Sequence, residues 1–196
     1  MIIIIEGIDK AGKSTIVKDL EDLFENKAIV LKLSQKPKDG SSDELLKVKV
    51  AYRELFEQAR MMNRKGMKVI FDRSYPSELV YSTKRGYDAL KNQEWWEFEE
   101  SLKDLVDKKE ILLIYCSTED QIIETRFKTD NETFMEPQEI PLFKERYEEF
   151  LSKTILPYIR IDSLKDRLAN LVTIQNLLDK KEIQKDEHFG NQGRLF

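Results

Sequence analysis

The chain has 196 residues, 40% of them hydrophobic, and 33 basic and 37 acidic residues mix along it for a formal net charge of −4. That length supports one sizeable core rather than two domains, and the lack of a basic field excludes a general nucleic-acid coat protein, so a polyanionic ligand must be held by a few focused residues. Ile2 to Ile5 run straight into Glu6, which excludes a signal-peptide core or a membrane span, and the lone Cys116 excludes an internal disulfide, so a soluble protein of the reducing cytoplasm is expected.

Ile2 to Ile5 read as a buried strand. It leads into Gly7-Ile8-Asp9-Lys10-Ala11-Gly12-Lys13-Ser14, with Thr15 next, and then into a segment where Ile16, Val17, Leu20, Leu23 and Phe24 recur at helical spacing. Strand, glycine-punctuated loop and helix in this order make a phosphate-binding loop. Its two glycines let successive N–H groups turn inward on a polyphosphate, Lys13 reaches the outer phosphates, and the Ser14 hydroxyl ligates Mg2+.

Further strands are predicted at Ala28 to Leu33, Met67 to Phe71, Ile111 to Tyr115 and Tyr158 to Ile161. A long helix is predicted from Asp43 to Arg64, with Leu45, Val48, Tyr52, Leu55, Ala59 and Met62 as its apolar stripe, Lys49, Arg53 and Arg60 on its polar face, and Gly66 as the stop. Other helices are expected at Ser77 to Lys84, Asn92 to Val106, Glu119 to Lys128, Gln138 to Ser152 and Leu164 to Leu178. This rhythm is that of an α/β fold with a parallel sheet covered by helices on both faces. Trp95, Trp96 and Phe98 are assigned to core or interface packing. Thr129 to Pro141 breaks the periodicity and is expected to form a loop acting as a lid, within a domain of residues 1–180. Residues 181–196, which include His188, are expected to be a flexible tail.

Asp72-Arg73 follows Val69-Ile70-Phe71, placing a carboxylate and a guanidinium at the carboxyl end of a buried strand, the edge where open α/β sheets bind ligands and where the phosphate loop also lies. Asp72 can hold a Mg2+-bound water, and Arg73 can grip an anionic acceptor bidentately.

Glu6-Gly7-Ile8-Asp9 running into Gly12-Lys13-Ser14-Thr15, followed by Asp72-Arg73 and Ser77 to Tyr81, resembles the thymidylate kinase family. Lys36-Pro37, Arg85-Gly86 and Phe143 to Tyr147 extend the likeness. The resemblance implies the five-stranded parallel sheet of P-loop nucleotide kinases with a short lid, ATP with Mg2+ as donor, nucleotide substrates and a homodimer. It places Asp9 on the sugar 3'-hydroxyl of the acceptor and Arg73 on its 5'-phosphate, with Pro37, Arg53, Ser77, Tyr81 and Arg85 along the acceptor pocket.

The chain departs from the family at Gln35 and Lys36, where the family carries an arginine and a glutamate, and at Thr133, where many members have a lid arginine. Other members put a basic residue inside the phosphate loop, which makes Lys10 the candidate transition-state cation and Arg126 a second donor. Phe71 to Ser74 with Ser77-Glu78, Gln138 and Ile140 to Leu142 is similar to deoxynucleoside kinases, which phosphorylate a free 5'-hydroxyl. In that case Glu6 or Asp72 would take the hydroxyl proton. Otherwise Glu6 would form a salt bridge to Arg73, and both readings stand. A third reading is a nucleotide-dependent switch that transfers no phosphate to a nucleotide acceptor.

Overall fold

The computed structural model describes residues 1–33, 41–128, 135–162 and 167–179. Pro37 with Gln35 and Lys36, the 129–134 part of the expected lid with Thr133, and the expected tail with His188 lie outside the described residues.

Five parallel strands form one sheet in the order β2-β3-β1-β4-β5: β1 Ile2–Glu6, β2 Ala28–Leu31, β3 Lys68–Asp72, β4 Ile111–Ser117 and β5 Tyr158–Asp162. Every residue of β1 is buried, so both faces of the central strand are covered, as its run of isoleucines requires. Its register brings Ile5 opposite Asp72 of β3 and Glu6 opposite Tyr115 of β4. The loops after β1 and β3 therefore leave the sheet side by side. β2 ends at Leu31, two residues before its predicted end, and the next pair across, Lys32 and Asp72, meets through side chains at 3.0 Å.

The helix α1, Lys13–Phe24, packs on β1, β2 and β3, and α2, Ser42–Arg64, packs on β1 and β3. The left-handed Gly66 closes α2, its N–H reaching the Asn63 carbonyl at 2.9 Å. The stripe predicted for α2 is buried at Val48, Tyr52 and Ala59, with Phe56 added. The polar face is not an open one: Lys49 is buried and paired with Glu94, and Arg60 pairs with Asp104.

α3 spans Tyr75–Tyr81 and tightens into a 3-10 turn at Ser82–Arg85, earlier and shorter than the helix expected there. The single helix predicted over Asn92 to Val106 is two, α4 Gln93–Glu100 and α5 Lys103–Asp107. The break has a local cause: the Ser101 hydroxyl donates to the Phe98 carbonyl at 2.5 Å, and Arg60 donates to the Ser101 carbonyl at 3.1 Å, so both backbone acceptors have partners outside the helical ladder. Beyond β4 come α6, Asp120–Phe127, a 3-10 turn at Pro137–Glu139, α7, Ile140–Lys153, and α8, Arg167–Asp179. Lys84 pins the 3-10 turn through Glu139 at 2.6 Å.

Rings join the helices over one face of the sheet. Phe56 stacks on Phe71 at 4.7 Å, Tyr75 meets Phe98 at 5.1 Å, and Trp95 is fully buried against Tyr52 and Phe98. Trp96 stacks over Phe150 with its indole N–H on the Leu90 carbonyl, so the tryptophan pair serves packing as expected. Among the described residues, no helix is long and apolar enough to cross a membrane.

The end of α3 is held from α7. The buried Arg146 donates to the carbonyls of Val80 at 2.6 Å and Leu79 at 2.9 Å and to Asp88 at 2.8 Å, supplying acceptors that a helix terminus leaves without partners. Arg146→Met keeps the apolar stem and strands these groups, and is expected to lower stability by about 3 kcal/mol, read as a lower urea midpoint at unchanged slope. A loss below about 1 kcal/mol would show that the clamp is dispensable.

Candidate active site

The loop after β1 owes its path to close backbone approach. Gly7 has φ 143°, and a Cβ placed on it would stand 2.4 Å from the Cys116 carbonyl oxygen, so only glycine lets β1 run beside β4 here. Gly12, at φ 87°, is the N-cap of α1, whose first turn has neither an acidic residue nor a side-chain cap. The Thr15 N–H turns back to the Gly12 carbonyl at 3.2 Å, while no side chain caps the Lys13 and Ser14 N–H groups, the kind of donors an anion can take at a helix start. Ser14 and Thr15 are exposed at the start of α1. Ile8 and Ala11 are buried and anchor the loop.

Lys13 folds inward and donates to the Ile8 carbonyl at 2.6 Å. Its pKa is lowered to about 7 by burial first and by the Arg73 guanidinium second, with Asp9, Cys116 and Glu6 opposing. Lys10 takes the left-handed backbone, and its carbonyl accepts from Arg126 Nη1 at 2.7 Å. Arg126, from α6, thus reaches the loop that carries Lys10. Cys116 is buried, and burial pushes its thiol up to about 12, which makes it an inert packing group.

Arg73, also left-handed, faces the same loop from the end of β3. Its Nη1 donates to the Gly7 carbonyl and to Ser77 Oγ, both at 3.1 Å; its Nη2 pairs with Asp9; and the guanidinium lies 5.4 Å from the centre of the Tyr81 ring. Arg73 and Lys13 thus hold the carbonyls of successive residues, Gly7 and Ile8. Left-handed backbone costs a non-glycine residue roughly 1 kcal/mol, a strain that the surrounding contacts outweigh at Lys10 and Arg73.

The carboxylate partner of Arg73 is Asp9, not Glu6, which corrects the salt bridge considered for Glu6. Glu6 is 1% exposed and accepts from the Ser74 N–H at 2.7 Å, Ser77 Oγ at 2.6 Å and the Tyr147 hydroxyl at 2.8 Å. Burial raises its pKa, while Arg73 and the three donors oppose the rise.

These groups border a cleft of ≈ 210 Å³ lined by Asp9, Lys32, Leu33, Tyr52, Asp72, Arg73, Ser77, Glu78, Tyr81 and Arg85. Of the acceptor-pocket residues expected from sequence, Ser77, Tyr81 and Arg85 lie here with Asp9, Asp72 and Arg73. Arg53 does not: it is exposed, and its neighbour Tyr52 turns into the cleft instead. Sequence reasoning missed Lys32, Tyr52 and Glu78; the helical period that put Tyr52 on the buried face was the one available signal. Each cation lining the cleft has a carboxylate beside it: Arg73 with Asp9, Arg85 with Glu78, and Lys32 with Asp72. Tyr87 adds its hydroxyl to Glu78. Ser82 lies buried below, its hydroxyl joining the Leu79 carbonyl to the Ala89 N–H.

A lysine near pH 7 ties anion binding to proton uptake. Below its pKa, Lys13 is already charged; above it, an anion in the loop must draw a proton onto Nζ, so affinity falls as pH rises from 7 toward 9. Inorganic tripolyphosphate is expected to lose up to about tenfold in affinity per pH unit over this range, with proton uptake seen by calorimetry in two buffers and abolished in Lys13→Met. Affinity independent of pH across that window would contradict the assignment.

No protein-family model matches the chain. A probable thymidylate kinase of Archaeoglobus fulgidus is 33% identical in an alignment that covers 45% of this chain and 53% of that protein, so the chain spans about half the length of this curated relative. Among solved structures, the chain is similar to the YorR protein of Bacillus subtilis in complex with phosphorylated GDP, with a TM-score of 0.68 and 21% identity over 92% of this chain and 98% of that one. It is similar to deoxyadenosine kinase of M. mycoides with bound dATP, with a TM-score of 0.61 and 19% identity over 91% and 100%. Thymidylate kinase of Candida albicans gives a TM-score of 0.59 and 16% identity over 93% of each chain. The chain thus has the α/β fold shared by thymidylate kinases and deoxynucleoside kinases.

Proposed function

We propose that the protein is an ATP-dependent deoxynucleoside monophosphate kinase, with thymidylate as the acceptor. One observation carries the reading: Lys13 and Arg73 hold the carbonyls of adjacent residues in one loop, so a polyphosphate site and a cation-lined cleft meet at a single sheet edge. A donor held by Gly7 to Thr15 and an acceptor phosphate held by Arg73 would then meet head to head.

Phosphoryl transfer needs little covalent help, because the barrier falls through in-line positioning and neutralised charge. Lys13, Lys10 and Arg126 supply positive charge around the donor phosphates. Arg73 orients the acceptor phosphate, and Asp9, beside it, is placed for the acceptor sugar. The Ser14 hydroxyl, exposed at the start of α1, would be the protein ligand of a Mg2+ carried by the donor phosphates. When bound, that ion neutralises charge on the phosphate oxygens. Asp72, paired with Lys32, is the candidate for an outer contact through water.

The second reading, a deoxynucleoside kinase, is favoured by the likeness to deoxyadenosine kinase. It requires a carboxylate that accepts a proton from a hydroxyl. Both oxygens of Glu6 already accept hydrogen bonds, and Asp72 is ion-paired. A monophosphate, whose attacking oxygen is ionised near neutral pH, needs no such base, and the geometry favours it. The homodimer implied by the resemblance and the cytoplasmic location expected from the lone cysteine belong to the same proposal, and sedimentation reads the first.

Purified protein with MgATP is expected to turn over a deoxynucleoside monophosphate, dTMP best, and to consume little ATP without an acceptor. Turnover of nucleosides alone would favour the second reading, and acceptor-independent hydrolysis a switch. Arg73→Ala is expected to lower kcat/KM for the monophosphate roughly 10- to 100-fold while changing KM for MgATP less than about threefold. Equal losses for both substrates would remove Arg73 from the acceptor site.

A further inference from the structure

We infer that Tyr147, on α7, is a positioning residue that sets the guanidinium of Arg73 for the acceptor, acting through Glu6, Gly7 and Tyr81; this rests on the function proposed above. Arg73 is held by two fixed points of its own, the Gly7 carbonyl and Ser77 Oγ, and by the Tyr81 ring beneath it. Tyr147 reaches all three. Its hydroxyl donates to Glu6 Oε2 at 2.8 Å, stands 3.3 Å from the Gly7 carbonyl oxygen, and lies 3.3 Å from Ser77 Oγ. Its ring packs edge-on against Tyr81 at 6.3 Å and leans on Tyr115 of β4 at 5.1 Å.

The arrangement is a relay of orientation. Ser77 donates its one hydroxyl proton to Glu6 at 2.6 Å, which turns an Oγ lone pair toward Arg73 Nη1. That choice depends on Glu6 keeping its carboxylate where Tyr147 and the Ser74 N–H hold it. Tyr147 is fully buried, so neither its ring nor its hydroxyl touches a ligand in the cleft directly, and its influence must pass through these neighbours. A shift of an acceptor-binding group by a fraction of an ångström is enough to lose much of an in-line alignment.

The test is steady-state kinetics on Tyr147→Phe beside Tyr75→Phe. Tyr75 is an equally buried tyrosine donating to a buried carboxylate, Glu99, at 2.6 Å, but away from the cleft, and it controls for the general cost of removing such a bond. Tyr147→Phe is expected to raise KM for the monophosphate acceptor about tenfold, with KM for MgATP within about twofold of the parent, while Tyr75→Phe shows no such split at a similar loss of thermal stability. Glu6→Gln provides a second entry to the same network, and if the two act through one path the double variant is no worse than the poorer single one. Unchanged acceptor KM in Tyr147→Phe, an equal rise for both substrates, or fully additive effects in the double variant would each overturn the inference. Failure of the parent protein to use any monophosphate removes the proposed function and the inference together, whereas parent turnover with insensitive variants removes the inference alone.

Discussion

Glu6 is a carboxylate almost without access to water, placed by an otherwise all-isoleucine strand at the centre of a parallel sheet. Burying a charge in this way is costly unless donors surround it. The donors come from the Ser74 N–H, Ser77 on α3 and Tyr147 on α7. Satisfying Glu6 therefore draws α3 and α7 onto the end of β1. The Arg73 side of the cleft is built on that convergence, because Arg73 takes its bearings from Ser77 and from the Gly7 carbonyl beside Glu6.

The cleft is balanced rather than uniformly basic. Arg73, Arg85 and Lys32 each face a carboxylate in the same cavity, and the pairs differ in exposure: Arg85 and Glu78 are nearly enclosed, while Lys32 is largely open to water. A ligand's anionic group entering here must compete with a carboxylate already in place, which selects for groups that form several charge-assisted contacts at once. The net charge of −4 is consistent with such local recognition, since no long-range basic field is needed to hold a small nucleotide. The loop after β1 differs: it leads into a helix whose first turn has neither an acidic residue nor a side-chain cap, and its lysine is desolvated with a lowered pKa.

Much of this was legible in the sequence. Five strands appear within two residues of their expected bounds, and the glycine-punctuated loop joins β1 to α1 where it was expected. The errors have local causes. The helix over Asn92 to Val106 divides because Ser101 and Arg60 engage backbone carbonyls, and the place in the cleft expected for Arg53 is taken by Tyr52 because the helix period turns position 52 inward. A polar face read from α2 alone could not anticipate that Glu94 and Asp104, from α4 and α5, would cover Lys49 and Arg60.

What the chain determined by itself is therefore whatever depends on near neighbours: strand burial from a run of isoleucines, helix faces from a period of 3.6, and a tight loop between strand and helix from two glycines in fixed order. What only the tertiary structure decided is partnership. Arg73 joins Asp9 rather than Glu6 across 64 positions, Tyr147 reaches Glu6 across 141, and Arg146 caps α3 across 66 and 67. A side chain's charge or hydroxyl is written in the sequence, but its partner is set by sheet register and helix packing, and those emerge only when distant segments close on one core.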